Sequence, residues 1–329
     1  MTTNPVSGIL PPTSRRNGLR LVLTVLMAFV MGVAMCEAVL RFGLGLGNPI
    51  LIEPDTACSY ILKPDQDVIR FSVHTHINHY GMRADEVPAQ RALGALRLLF
   101  VGDSLTYGTT RVDQREIFTE VLRRDLPGML QRPVEVLNAS AGAWAPDNEL
   151  AYVRSRGIFQ SDIVLLVLND GDLSQPRSTL AQVGAELPQK RPASAIGELY
   201  SRYIRPGWLH RAERQDAGDS ADANAGEVVR ANLADLDEMH ALVTHAGARL
   251  IVVFVPFPKD LHAASAASQS VLKKWCGGHG VAMFDLTSAE APYSADTITL
   301  DHGIHLNATG HRIVAQAMEG AWPGLVGDQ

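Results

Sequence analysis

The pattern of apolar runs predicts an α/β protein: a three-layer α/β/α sandwich built on a five-stranded parallel sheet and preceded by one long apolar helix. Three observations lead there. Leu96–Gly102, Asp162–Asn169 and Arg249–Pro256 are almost unbroken apolar runs of strand length, as strands covered on both faces require. Segments with helical periodicity alternate with them, which is the rhythm of a parallel sheet with helices on both sides. Leu21–Leu40, reading LVLTVLMAFVMGVAMCEAVL, is a further apolar stretch of a different kind, too long for a strand.

Composition narrows the classes. With 329 residues and 46% hydrophobic content the chain can bury one sizeable α/β core and a smaller appendage. A net charge of -6 lacks the concentrated basic face that phosphate backbones need, so nucleic acid is not expected as a partner.

Residues 1–20, rich in Pro, Ser and Thr at their start, read as a disordered tail. The segment 21–41 follows as a membrane anchor, since twenty residues at ~1.5 Å each span the ~30 Å of a bilayer core. Arg15, Arg16 and Arg20 precede it and only Arg41 follows closely, which puts the tail in the cytoplasm and the rest of the chain outside. Rival readings are a signal peptide cleaved near Gly32-Val33-Ala34 and a buried core helix. A lipoprotein site at Cys36 is disfavoured by Met35. Outside the cytoplasm Cys58 and Cys276 could pair, although two free buried thiols are the simpler expectation.

Residues 42–95 form a lead-in with Pro54, Pro64 and Pro88 and little helical period. Phe71–Asn78 alternates like an exposed strand, and Gly81 marks a turn after which Arg83 could clip the lead-in onto the following domain. His74 and His76 would share one strand face, with His79 nearby. Without a close carboxylate or cysteine they read as solvated histidines rather than metal ligands.

The domain proper spans 96–329. Its first strand ends at Gly102, leaving Asp103 and Ser104 just past the carboxyl end, the edge where open parallel sheets bind ligands. The pair could simply cap the next helix. Val112–Leu126 carries a helical stripe that should end at Pro127, and Val134–Asn138 is the second strand. Pro146–Arg156 is a helix with acids in its first turn, and Asp162–Asn169 is the third strand. Residues 170–226 interrupt the rhythm. Within them Ile196–Leu209 holds Tyr200, Tyr203, Ile204 and Trp208, read as a short helix packed on something, and the insertion reads as a lid or carbohydrate-facing wall, or else as a surface insertion without substrate contact. Glu227–Ala246, Arg249–Pro256, Ala263–Cys276 and Val281–Leu286 restore helix, strand, helix, strand.

Near the end of the chain Asp301 and His305 lie in a loop before a helix, where they can supply the base and orienting carboxylate that a serine nucleophile lacks. Gly102-Asp103-Ser104-Leu105, Ala139-Ser140-Ala141-Gly142, the strand ending in Asn169, and the Asp301–His305 stretch stand in the order of the four blocks of the GDSL, or SGNH, serine hydrolases, and from residue 96 onward the chain resembles that family, membrane-tethered bacterial type. Asn78-His79-Tyr80-Gly81-Met82-Arg83 is similar to a segment preceding the first block in tethered members. The resemblance implies Ser104 as nucleophile, His305 as base and Asp301 as acid, with an oxyanion hole from the Ser104 and Gly142 N–H groups and the Asn169 side chain. No cofactor and no metal are implied. One departure stands out: the family spacing would put the acid where His302 is, so either a one-residue-longer loop lets Asp301 reach His305, or the acid comes from elsewhere or is missing. The implied reaction is acyl transfer from an ester, acetylated envelope or secreted polysaccharide being the expected substrate. An O-acyltransferase would use the same residues, and a non-catalytic binding or assembly module could retain the same fold.

Overall fold

The structure is a computed structural model that describes residues 13–183, 188–205, 225–258, 265–301 and 303–326; the side chain of Asp301 and all of His302 lie outside the described residues. Five parallel strands form the central sheet: β5 (Leu96–Gly102), β6 (Val134–Ser140), β7 (Ile163–Leu168), β8 (Arg249–Phe254) and β9 (Ala282–Asp285), in the spatial order β6-β5-β7-β8-β9. The first apolar run thus occupies an interior position, with the chain winding outward on either side of it.

Side-chain alternation divides these strands between two cores. Leu99, Val101, Val164, Leu166, Val252 and Phe254 point to one face, and Leu98, Phe100, Leu165, Val167, Ile251 and Val253 to the other. The helix Phe118–Leu130 and the C-terminal helix Ala308–Val326 cover the second face through Phe118, Leu122, Met318 and Trp322. The helices Pro146–Arg156, Ala225–His245 and Ser265–His279 cover the first. Arg97, the one charge in the first run, is fully buried, and its guanidinium is satisfied by Glu135 at 2.6 Å and by the carbonyls of Pro88, Ala89 and Phe159.

The lead-in is more than a spacer. It contains two hairpins, β1 (Ile52–Asp55) with β2 (Ser59–Leu62) and β3 (Gln66–Arg70) with β4 (Val73–Ile77). Tyr60, Leu62, Val68, Ile77 and Met82 are buried in the same core as Leu99 and Val164, so residues 50–84 complete one face of the domain instead of standing before it.

Two boundaries depart from the sequence pattern. The helix containing Val121 and Leu122 starts at Phe118 and runs through Pro127 to Leu130, because a proline in the last turn removes only one ladder bond close to where the ladder ends anyway. Helix also begins at Thr13, within the stretch read as a disordered tail, and extends through the apolar stretch to Ala38. This helix is long and apolar enough to cross a membrane and none of its apolar window is buried, which removes the core-helix reading. A five-residue wide turn, Val39–Gly43, follows it directly.

Candidate active site

Ser104 opens a one-turn helix, Ser104–Tyr107, at the carboxyl end of β5. Gly102 makes the sharp exit possible: a Cβ there would lie 2.2 Å from Thr106 Oγ1 and 3.1 Å from Val167 Cβ. Asp103 is the N-cap, accepting from the Leu105 N–H at 2.8 Å, so the capping role open to it from sequence is one that it fills.

The imidazole of His305 stands over this turn. Its Nε2 is 3.1 Å from Ser104 Oγ, a contact between residues 201 positions apart. His305 is held on β11 (His305–Leu306), which pairs antiparallel with β10 (Thr299–Asp301) so that Asp301 stands opposite His305 in register. Below, His311 in the C-terminal helix is fully buried, and burial drives its pKa down to about 3. It is therefore neutral, and its Nδ1 accepts from the Phe118 N–H at 3.4 Å, tying the C-terminal helix to the helix after the nucleophile.

The third block ends as a tight polar cluster. Asn169 Nδ2 donates to Asp103 Oδ2 at 3.1 Å and to Asp172 Oδ1 at 2.8 Å, and Asn169 Oδ1 accepts from the Gly171 N–H at 2.7 Å. Both amide hydrogens thus point at the acids Asp103 and Asp172, which ties Asn169 to the nucleophile turn through Asp103. Glu149 lies behind, fully buried and with neither carboxyl oxygen hydrogen-bonded. Burial, then Asp172 and Asp103, raises its pKa well above the carboxylate range, and burial followed by Asp103 does the same to Asp172. Each of these three buried acids therefore binds its proton more tightly than an isolated one would.

A cleft of about 390 Å³ brings Ser104, Gly142 and His305 together, with Tyr107 and Thr109 on the nucleophile side and Arg202 and Tyr203 of the insertion opposite. Two described residues of the insertion, Arg202 and Tyr203, therefore line the cleft; Trp208 lies outside the described residues.

The lead-in grips this machinery from behind at two points. Tyr60 Oη donates to the Gly142 carbonyl at 2.8 Å, and the Tyr60 carbonyl accepts from Trp144 Nε1 at 3.1 Å, so β2 fixes the glycine block. Arg83, fully buried, donates to the carbonyls of Tyr107 (2.7 Å), Thr109 and Val112 (2.6 Å) and to Gln114 Oε1 (3.1 Å). It does clip the lead-in onto the domain, at the loop leaving the nucleophile turn.

The histidines of β4 and its exit sit apart from the cleft. His74 Nε2 meets Asp67 at 2.5 Å across the hairpin, and His79 meets Glu86. Among the described residues no group of three or more His, Cys, Asp or Glu is placed to hold a metal ion. Cys58 and Cys276 are free and buried.

Sequence reasoning passed over Glu149, Asp172, Tyr60 and His311. Asp172 left a trace as a second acid two positions after Asp170, and Glu149 one as an acid in the first turn of a helix.

A serine and a histidine in contact at the carboxyl edge of a parallel sheet define a hydrolase-type site, and the sequence comparisons specify the class. The model of the GDSL-like Lipase/Acylhydrolase family matches residues 100–313, most of the chain, and the chain belongs to that family of ester hydrolases. No curated protein matches it in sequence. Similar solved structures include a member of the lipolytic G-D-S-L family from Veillonella parvula, 13% identical, with 69% of this chain and 98% of that one covered at a TM-score of 0.44. An acetyl-xylooligosaccharide esterase from Geobacillus Stearmophilus is 14% identical, with 73% and 98% covered at 0.44. The psychrotrophic esterase EstA from a Pseudoalteromonas species is 12% identical, with 70% and 99% covered at 0.43.

Proposed function

We propose that the chain is a membrane-anchored serine esterase that removes O-acyl groups, acetyl first among them, from envelope or secreted polysaccharide outside the cytoplasmic membrane. The observation that carries the chemistry is the 3.1 Å contact between Ser104 Oγ and His305 Nε2. His305 takes the hydroxyl proton as Ser104 attacks the ester carbonyl, and returns it to the leaving alcohol as the acyl-enzyme forms. Water, activated by the same imidazole, then releases the acyl group. Ser104 and Gly142 N–H groups hold the oxyanion, each such donor being worth ~3 to 4 kcal/mol. Asn169 joins them when the arriving negative charge draws one amide hydrogen away from Asp103. Asp301 orients His305, a role that its register opposite His305 supports.

An O-acyltransferase would differ only in the group that accepts the acyl chain. The cleft wall built by Arg202 and Tyr203 supports a saccharide-sized ligand beside the serine in either case. A fluorophosphonate probe tests the shared step: the folded protein should label and Ser104→Ala should not. Acetylated oligosaccharide with and without an acceptor glycan then separates free acetate from transferred acetyl. A correctly folded wild-type protein that takes no label leaves the binding-module reading in place and removes the enzymatic one. The anchor has its own test, since the full-length protein should stay with membranes through alkaline extraction.

A further inference from the structure

The apolar helix and the cleft are physically joined through a network of hydrogen bonds and ion pairs. Glu37, in the last turns of the helix, accepts from the Ala195 and Ile196 N–H groups at 2.8 and 3.0 Å and pairs with Arg41 at 2.7 Å. Residues Ala195–Glu198 form the short helix that leads into Leu199–Ile204, which carries the cleft residues Arg202 and Tyr203. Glu198 is buried and bonds Arg70 at 2.8 Å, Arg202 at 3.2 Å and the Gly47 N–H. The Phe71 N–H donates to the Leu44 carbonyl at 2.9 Å, and Arg70 Nη1 to the Gly45 carbonyl at 3.2 Å. Helix end, β3–β4 turn and insertion wall are thus one assembly, with no slack linker between the anchor and the catalytic body.

That assembly exposes a row of apolar side chains. Phe42 is 84% exposed, Ile69 65%, Phe71 47% and Tyr203 49%, with Leu44 and Ile204 beside them. Phe71 and Tyr203 meet edge to face with centroids 6.1 Å apart, and Arg70 reaches the Tyr203 hydroxyl at 3.3 Å. The row begins two residues after Leu40, where the ~30 Å apolar span ends, so it lies at the height of the lipid headgroups. Aromatic rings, branched aliphatics and arginines together are what that layer selects, and a contiguous exposed apolar patch of this kind marks a membrane or partner surface.

We propose that this face, Phe42, Leu44, Ile69, Phe71, Tyr203 and Ile204, is seated in the headgroup layer of the bilayer that the helix enters, holding the mouth of the Ser104 cleft against the membrane surface. The occupant is lipid because the patch is continuous with the membrane helix itself. The proposal rests on the anchor reading above and adds an orientation to it: the cleft opens along the membrane plane, within reach of esters carried at that surface.

Site-directed spin labelling of the full-length protein in phosphatidylethanolamine–phosphatidylglycerol vesicles tests it. Cys36→Ser removes the exposed thiol, and Cys58 and Cys276 are buried, so a nitroxide can be placed at Ile69→Cys, at Phe71→Cys as a second patch position, and at Met129→Cys, an exposed apolar position on another helix. Labels at 69 and 71 should be relaxed more by oxygen than by a water-soluble nickel chelate, and the label at 129 the reverse. Fluorophosphonate labelling of each sample establishes that the catalytic body is folded. Equal nickel access at 69, 71 and 129 in a protein that resists alkaline extraction overturns the orientation while the anchor stands. Release by alkali overturns both.

Discussion

Replacing Arg83 by Met should damage both folding and catalysis, although Arg83 does not line the cleft. The side chain is fully buried and its guanidinium serves four acceptors: three carbonyls of the 107–112 loop and Gln114 Oε1. Methionine fills most of the volume but donates nothing, so these acceptors lose a charged partner with no water to replace it. An acceptor stranded in this way costs ~1–3 kcal/mol, and four of them, even at the lower bound, cost ~4 kcal/mol. That is a large share of a domain's usual ~5–15 kcal/mol. Arg83 also stacks over Tyr107, with its guanidinium carbon 5.2 Å from the ring centroid, so the loop would lose a cation–π contact as well. Arg83→Lys keeps the charge without the planar fork and should restore only part of the network. Thermal melts in detergent, run beside hydrolysis of a p-nitrophenyl ester, read both effects. Arg83→Met should melt well below wild type or fail to fold. Arg83→Lys should fold with kcat/KM reduced by ~10- to 100-fold, the size of effect expected when a nucleophile is misplaced by about 1 Å. An Arg83→Met protein with wild-type melting temperature and kcat/KM would refute the reasoning outright.

Other outcomes follow from the same geometry. Glu290 is fully buried, neither carboxyl oxygen is hydrogen-bonded, and burial with Asp170 nearby pushes its pKa up to about 8 from an ordinary 4.5. The folded chain therefore keeps a proton that the unfolded chain releases, and stability falls as pH rises from 4.5 to about 8. At pH 7 the deficit is ~3 kcal/mol, so Glu290→Gln should match wild type near pH 4.5 and melt several degrees higher at pH 7; parallel melting curves at both pH values would contradict this. Burial raises the Cys58 thiol to about 12 and the Cys276 thiol to about 11, so neither should react with maleimide at pH 8 until the protein is unfolded, as intact mass will report. Asp301→Asn should lower kcat by orders of magnitude with little change in KM if Asp301 orients His305, and an unchanged kcat would move the acid elsewhere.

Much of this architecture was legible because its signals are local. A strand buried on both faces must be apolar along its whole length, so β5, β7 and β8 could be read directly, and a nucleophile turn needs a glycine that leaves room, which Gly102 supplies. The lead-in hid its role because hairpins such as β1–β2 carry only short, half-polar patterns and their burial depends on a sheet formed later in the chain. The burial of Glu149 was invisible for the same reason: an acid in the first turn of a helix looks like a dipole partner until the fold closes over it.

By itself the amino-acid sequence determined the strands of the parallel sheet, the apolar anchor-length helix and the order of the four motif blocks, since each strand, helix or block is a contiguous stretch whose pattern can be read without knowing what packs on it. Only the tertiary structure decided that His305 meets Ser104, that Arg83 and Tyr60 brace the loops around them, and that the end of the apolar helix is locked to the cleft wall through Glu37 and Glu198. These contacts join residues from 24 to 201 positions apart in the chain. Their formation is driven by burial of the whole core, a property that no short stretch of the chain carries alone.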